Sequence, residues 1–336
     1  MISIAPLPHC PIASLQYSPM ERLHSELCRF SADDWRDAVE TLAPQIHEID
    51  RNATRIWFAF YPLNLFLALE AAGDPDALAR TLGLMGRWRL KDQIDSSHRF
   101  LYAHRFWPQV KSAVAATDQW PGSLPAVITH VADAACRTAR VDRDRLLGMA
   151  AVALMTLRQV GPADFAAAPG TVHLSEHAKV ASPYQVMKKR AKDDWQGLFG
   201  FTRGLNKRWT VTFDENDPDA TFTVINDQEI ASGAQQDKRD YRSRDVRCTP
   251  NEGPIPVECR AASCGTCWVG VLAGAEKLSP VVDRDEGRRM KVFGYQGTEG
   301  ERPLIRLACQ ARAYGAVSIV IPPWNGIWGR VTSRAD

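Results

Sequence analysis

The chain has 336 residues, 45% of them hydrophobic and 24% charged, with a formal net charge of only +2. That length is too great for one small core and predicts two or three domains. So even a charge balance excludes the strong basic excess of a protein built to hold nucleic acid.

Residues 1–30 read as draped chain. The first twenty include Pro6, Pro8, Pro11 and Pro19 but no Lys or Arg, so no secretory signal is expected. Helical patterning begins at Ser31, which can cap a helix opening on Asp33 and Asp34. Trp35, Ala38, Val39, Leu42 and Ile46 follow at helical spacing, with a bend at Pro44. A second helix is expected over residues 56–72, stopped by Gly73, and a third over residues 76–85. A fourth is expected over residues 92–114 with Pro108 inside it, and shorter ones over residues 124–138 and 142–159. No strand of period two precedes Trp209, so residues 1–160 read as an all-α domain of unknown role. Trp57, Phe58, Phe60, Tyr61 and Phe66 read as its core. His98 and His104, six apart on the expected fourth helix, do not share a face as a metal pair four apart would. The two most apolar stretches, residues 57–73 and 146–157, are interrupted or short against the roughly 20 residues that a bilayer requires. No transmembrane segment is therefore expected, membrane contact is limited to a peripheral kind, and the protein is placed in the cytoplasm.

Residues 161–208 carry Lys188, Lys189, Arg190, Lys192, Arg203, Lys207 and Arg208 against Asp193 and Asp194, and read as a basic linker or arm with a short helix near residues 184–198. At Trp209 the pattern changes. Trp209, Val211 and Phe213 alternate with Thr210 and Thr212, a turn follows at residues 216–219, and Phe222 and Val224 return as a second strand. Residues 230–242 suit a helix, and Val317, Ile319 and Ile321 form a last strand before Pro322 and Pro323. Residues 324–336 are a tail whose Trp324 and Trp328 either pack back on the domain or anchor a partner. From Trp209 onward there are 16 Lys and Arg against 18 Asp and Glu, a sign that suits a carrier docking on basic partners.

Cys10, Cys28, Cys136 and Cys248 are scattered, whereas Cys259, Cys264, Cys267 and Cys309 follow as Cys-x4-Cys-x2-Cys-x41-Cys. In a reducing cytoplasm such clustering means metal, not disulfides. Iron–sulfur centres take tetrahedral thiolate sulfur, and one loop can supply three ligands while a distant strand supplies the fourth. Ala261, Ala262, Ser263, Gly265 and Thr266 are small enough to bring backbone N–H groups to the sulfurs, which tunes the potential. Zinc ribbons use two Cys-x2-Cys knuckles and only one is present. A catalytic dithiol would need a βαβ setting that is missing here.

The run from Cys259 through Arg260, Ala261, Ala262, Ser263, Cys264, Gly265 and Thr266 to Cys267 resembles the cluster loop of plant-type and related bacterial [2Fe–2S] ferredoxins. Arg306-Leu307-Ala308-Cys309-Gln310 resembles the segment that carries their fourth ligand. The resemblance covers about residues 209–323. It implies an α+β chain in which the all-α region is followed by a β-grasp domain holding a [2Fe–2S] cluster on Cys259, Cys264, Cys267 and Cys309, with no catalytic residue. Three departures stand out. Ala262 replaces a usual glycine, residues 244–256 with Cys248 form an insertion, and the 41-residue gap is long. Within that gap Asp283 and Glu286 have capping-box spacing and can start a helix reaching about Phe293. No cysteine follows Cys309, unlike the iron–sulfur subunit of succinate dehydrogenase. No Gly-x-Gly-x-x-Gly marks a reductase nucleotide domain.

The expectation is a one-electron transfer protein that is not an enzyme in its own right. It would be the ferredoxin component or subunit of a larger oxidoreductase system, with a reductase or terminal oxidoreductase as redox partner and a potential near about −400 mV. The alternative is a redox sensor acting through the helical domain. A third reading is an enzyme whose active site lies in that domain and takes electrons from the cluster.

Overall fold

The computed structural model describes residues 18–196, 207–281 and 286–329. Helices α1 (Pro19–Leu27) and α2 (Ala32–Leu42) each open on a serine capping box, Ser18 with Glu21 and Ser31 with Asp34. The helix expected across residues 56–72 is two helices, α3 (Glu48–Phe60) and α4 (Leu63–Ala71). Pro62 lies between them, and proline has no N–H to continue the ladder. After α5 (Pro75–Thr81) and the short β1 (Met85–Gly86), the long helix expected over residues 92–114 does not form. Residues 90–106 are short 3-10 turns and bends, and α6 (Trp107–Ala115) begins with Pro108 in its first turn, where a missing N–H breaks no bond.

Helices α7 (Leu124–Ala139) and α8 (Asp144–Ala167) complete the bundle. Every residue of α8 from Leu146 to Gln159 is buried. A Cβ on its Gly148 would lie 2.2 Å from Thr54 Oγ1, so glycine permits the close approach of α3. Among the described residues α8 alone is long and apolar enough to cross a membrane, but 78% of its apolar window is buried in the fold. It runs through residue 160, where the sequence suggested a boundary, and bends at Gly161 (φ 80°) before Pro162. The expected basic arm includes α9 (Glu176–Val180) and α10 (Pro183–Lys189). Arg190 ties its end down, donating to Glu215 at 2.7 Å and to the Ile49 carbonyl at 2.7 Å.

The alternating residues after Lys207 form the hairpin of β2 (Arg208–Thr212) and β3 (Thr221–Ile225), which pairs Trp209 with Val224 and Val211 with Phe222. A two-residue strand β4 (Gln228–Glu229) leads into α11 (Ile230–Ala234), a single turn where residues 230–242 had suggested a longer helix. Then come β5 (Trp268–Ala273), α12 (Arg288–Phe293), β6 (Ile305–Leu307), β7 (Arg312–Ala313), β8 (Val317–Val320) and β9 (Trp324–Asn325). The main sheet has the order β3-β2-β8-β5-β6 and is mixed, with β2 and β8 parallel and the other pairs antiparallel. The chain is thus α+β, a helical region followed by a mixed sheet.

The two regions share one hydrophobic core. Strand β5 is buried from Trp268 to Leu272, an unbroken apolar run of the kind found when both faces of a strand are covered. Helix α3 provides one cover: Phe60 stacks edge-on to Trp268 with centroids 5.0 Å apart, and Asn52 Nδ2 donates to the Leu272 carbonyl at 3.1 Å. A Cβ on Gly270 would lie 2.4 Å from Ile56 Cγ2 and 3.2 Å from the Phe60 ring. The tail also packs back, for Trp324 and Trp328 are both buried, and β9 pairs with β1 of the helical region. Gly270→Val, which forces a branched side chain into that contact, is expected to destabilise the protein by about 1–3 kcal/mol in urea unfolding. A midpoint equal to wild type would mean that α3 does not press on β5 as described.

Candidate metal centre

Residues 258–267 form a tight loop just before β5. Glu258 N donates to Thr266 Oγ1 at 3.2 Å, closing the loop on itself. Three residues inside it take left-handed backbone conformations, Arg260 (φ 55°), Ala262 (φ 54°) and Gly265 (φ 74°). These reversals turn the N–H groups of Ala261 and Ser263 toward Cys259 Sγ, at 3.5 and 3.3 Å. Gly265 cannot carry a side chain, because a Cβ there would lie 2.9 Å from the Tyr295 hydroxyl and 3.1 Å from Phe293. That hydroxyl donates to the Gly265 carbonyl and pins the loop to the segment after α12. Ala262, the departure from a usual glycine, takes the left-handed conformation with its methyl group buried. Strain of about 1–2 kcal/mol is partly offset by about 0.8 kcal/mol from burying that methyl.

The fourth cysteine reaches the loop through strand pairing. Trp268 faces Leu307 across β5 and β6, and Ala308 N donates to the Cys267 carbonyl at 2.9 Å. Cys267 and Cys309 therefore emerge at the same end of neighbouring strands. A buried ion pair fixes the incoming segment: Arg306 Nε and Nη2 each donate to Glu286 at 2.9 Å, Arg306 Nη1 donates to the Ser279 carbonyl at 2.8 Å, and Leu307 N donates to Glu286 Oε1 at 2.7 Å. Glu286 thus serves Arg306 and the Leu307 N–H. Asp283 lies outside the described residues.

The thiols converge as two pairs. Cys259 lies close enough to Cys264, and Cys267 to Cys309, for each thiol to shift the ionisation of its neighbour. Cys267 and Cys309 are buried, whereas Cys259 and Cys264 are partly exposed beside exposed Arg260, Ala261 and Ser263. Contact with Cys267 is the chief cause that lowers the Cys309 thiol to about 6, helped by Gln310 and the Ala262 N–H against the effect of burial. The same contact, together with burial, pushes Cys267 well above the usual thiol range. At Cys259 burial acts upward, but hydrogen bonds from Ser263, Ala261 and Cys264 bring it down to about 7. Gln310 Nε2 lies 3.5 Å from Cys309 Sγ and Thr266 Oγ1 lies 3.2 Å from Cys264 Sγ. The surroundings thus favour the thiolate at Cys259 and Cys309 and disfavour it at Cys267.

Among the described residues no three His, Cys, Asp or Glu side chains gather around one point as ligands of a single ion. Cys259, Cys264, Cys267 and Cys309 are the residues that would hold a centre of two irons, with two thiolates on each. Cys248 is elsewhere in role: it is buried, donates to the Pro254 carbonyl at 3.4 Å, and burial pushes its thiol up to about 11. Arg260 pairs with Glu252 at 3.6 Å. His98 and His104, kept apart by the expected helix, meet in the turn that replaces it, with their Nδ1 atoms 3.0 Å apart. Burial lowers His98 well below the ordinary imidazole value and lowers His104 to about 4, so they form a neutral core pair. Tyr295 and the Glu286–Arg306 pair escaped sequence reasoning because no local pattern marks a contact across 20 or 30 residues.

Glu286→Ala leaves the Arg306 charge buried without its counterion and is expected to cost about 3–5 kcal/mol in denaturant unfolding. A loss below about 1 kcal/mol would show that the pair does not hold the Cys309 segment in place.

Residues 246–314 match the family model described as "2Fe-2S iron-sulfur cluster binding domain". Neither the curated proteins nor the solved structures searched contain a match. The family match takes in the loop, β5, α12, β6 and the Cys309 segment, and leaves out the β2–β3 hairpin and β8. The C-terminal region of this chain is a 2Fe–2S iron–sulfur cluster binding domain of the ferredoxin kind, and its cofactor is a [2Fe–2S] cluster.

Proposed function

We propose that this protein transfers single electrons as the iron–sulfur component of a larger oxidoreductase system, and that Cys259, Cys264, Cys267 and Cys309 hold its cluster. The observation that carries this reading is the strand pairing that brings the Cys309 segment beside Cys267, with N–H groups aimed at Cys259 and Cys309. When bound, the cluster supplies reversible exchange of one electron between ferric and ferrous iron. The chain's own residues do the rest. Backbone and Gln310 N–H groups stabilise negative charge on sulfur and so set the potential. The fold keeps water from Cys267 and Cys309, while the rim at residues 258–263 leaves Cys259 and Cys264 open to a partner.

A mixed sheet with α11 packed against β3 is consistent with a β-grasp. A helical region of this size is more than a freely diffusing carrier requires, which favours a subunit docked to a reductase or terminal oxidoreductase.

Protein reconstituted without oxygen is expected to bind about two irons and two sulfides per chain and to give a rhombic S = 1/2 signal on one-electron reduction, at a potential near about −400 mV. Cys309→Ser should abolish or grossly alter that signal, and Cys248→Ser should leave it intact. Colourless, zinc-loaded protein, or a signal indifferent to Cys309→Ser, would overturn the assignment.

A further inference from the structure

Helix α12 turns one face to the cysteine loop. Met290 and Phe293, three residues apart, are buried, and Phe293 and Tyr295 both lie against Gly265. Gly265 follows Cys264, one of the two partly exposed thiols, so α12 adjoins the open side of the site. The other face of the helix is bare. Arg288, Arg289 and Lys291 are exposed, and Val292 is 43% exposed beside them. Trp328 N donates to the Phe293 carbonyl at 2.7 Å, which brings Ile327, 42% exposed, to the same end of the helix. An apolar centre with charge at its edge is the make-up of a protein-docking surface.

The charge at that edge is of one sign. No carboxylate among the described residues pairs with Arg288, Arg289 or Lys291. Glu286, just before the helix, is taken up by Arg306. On the loop, Arg260 is matched by Glu252, which leaves Glu258 as one exposed carboxylate against three free cations. Two of those cations do nothing for the helix. Arg288 and Arg289 stand in its first turn, where the backbone dipole is positive and no acidic side chain balances it. The region from Trp209 onward is slightly acidic, with 16 Lys and Arg against 18 Asp and Glu, yet beside the thiols the sign is reversed.

We propose that α12 and Ile327 form the docking surface for an acidic face of the redox partner. The partner covers Val292 and Ile327 and sets its carboxylates against Arg288, Arg289 and Lys291. Docked there, its own redox centre comes to the Cys264 side of the cysteine loop. The cations steer the encounter and fix its orientation, which is what charge at the edge of an interface does best. The inference rests on the electron-transfer reading of the cysteine loop.

Two haem proteins of opposite charge test it, the acidic cytochrome b5 and the basic cytochrome c. Reduced holo-protein is mixed with each in stopped flow, where one ferric haem becomes ferrous for each cluster oxidised. Binding of the ferric cytochromes to oxidised holo-protein is measured by calorimetry. The rate and affinity for cytochrome b5 are each expected to fall at least about tenfold as ionic strength rises from about 10 mM to about 300 mM. The triple variant Arg288→Gln, Arg289→Gln, Lys291→Gln should lose about the same factor at low salt with cytochrome b5 and nothing with cytochrome c. Removing equal charge from α10 and the residues after it, by Lys188→Gln, Lys189→Gln, Lys192→Gln, should affect neither cytochrome. A rate and affinity for cytochrome b5 that ignore salt or the α12 variant overturn the docking surface, and so does an equal loss in the two triple variants. Iron, sulfide and the spin signal are measured on every sample. Cluster-loaded protein that reduces neither cytochrome counts against the electron-transfer reading, whereas reduction of both without dependence on α12 counts against the docking surface alone.

Discussion

Forty-one residues separate Cys267 from Cys309, and the antiparallel pairing of Trp268 with Leu307 is what makes their thiols neighbours. The entropy of closing a loop grows only with the logarithm of its length, so a long gap is tolerable once the two strands meet in register. Register matters because a slip by one residue would turn Leu307 and its neighbours to the opposite face. Arg306 and Glu286 guard against that slip. Their buried pair is a weak source of net stability, but Glu286 also takes the Leu307 N–H, two residues before the thiol. The ion pair specifies where the segment lies more than how tightly the protein folds.

The same strand is the meeting point of the two regions. Trp268 stacks flat on Tyr295 at 4.2 Å, lies edge-on to Trp324, and touches Phe60 of α3. Tyr295 in turn holds the cysteine loop through the Gly265 carbonyl. One aromatic group thus connects the helical bundle, the C-terminal turn and the metal centre, and each side buries apolar surface that the other would leave in water. The helical region is therefore part of the centre's surroundings. A change in its packing is felt at Trp268, one peptide bond from Cys267.

Several features were legible without coordinates because they are local. Ser31 caps α2 as its neighbours suggested, and the alternating threonines around Trp209 and Val211 form the hairpin. The errors share one cause. Ile94, Leu101, Phe106 and Val110 are spaced as on one helix, but the segment before Trp107 is held in turns by distant partners. Asp95 accepts from Trp107 Nε1 at 2.7 Å and from Thr171 N at 2.8 Å, and Asp50 accepts from the N–H groups of Tyr102 and Ala103 at 2.6 and 2.8 Å. Hydrogen bonds to buried carboxylates outweigh a weak helical preference. His98 and His104 come together as a result.

Cysteine spacing and period-two alternation are properties of short stretches of chain, and they were enough to place a metal-binding region after a helical one, while the resemblance of the cysteine loop to [2Fe–2S] ferredoxins named its cofactor. How Cys309 comes beside Cys267, where Glu286 bonds, and which wall of the helical region Trp324 joins are set by contacts between residues 20 to 264 positions apart. Such contacts leave no periodic trace. Their free energy comes from burial and hydrogen bonding that exist only once the strands and helices have assembled.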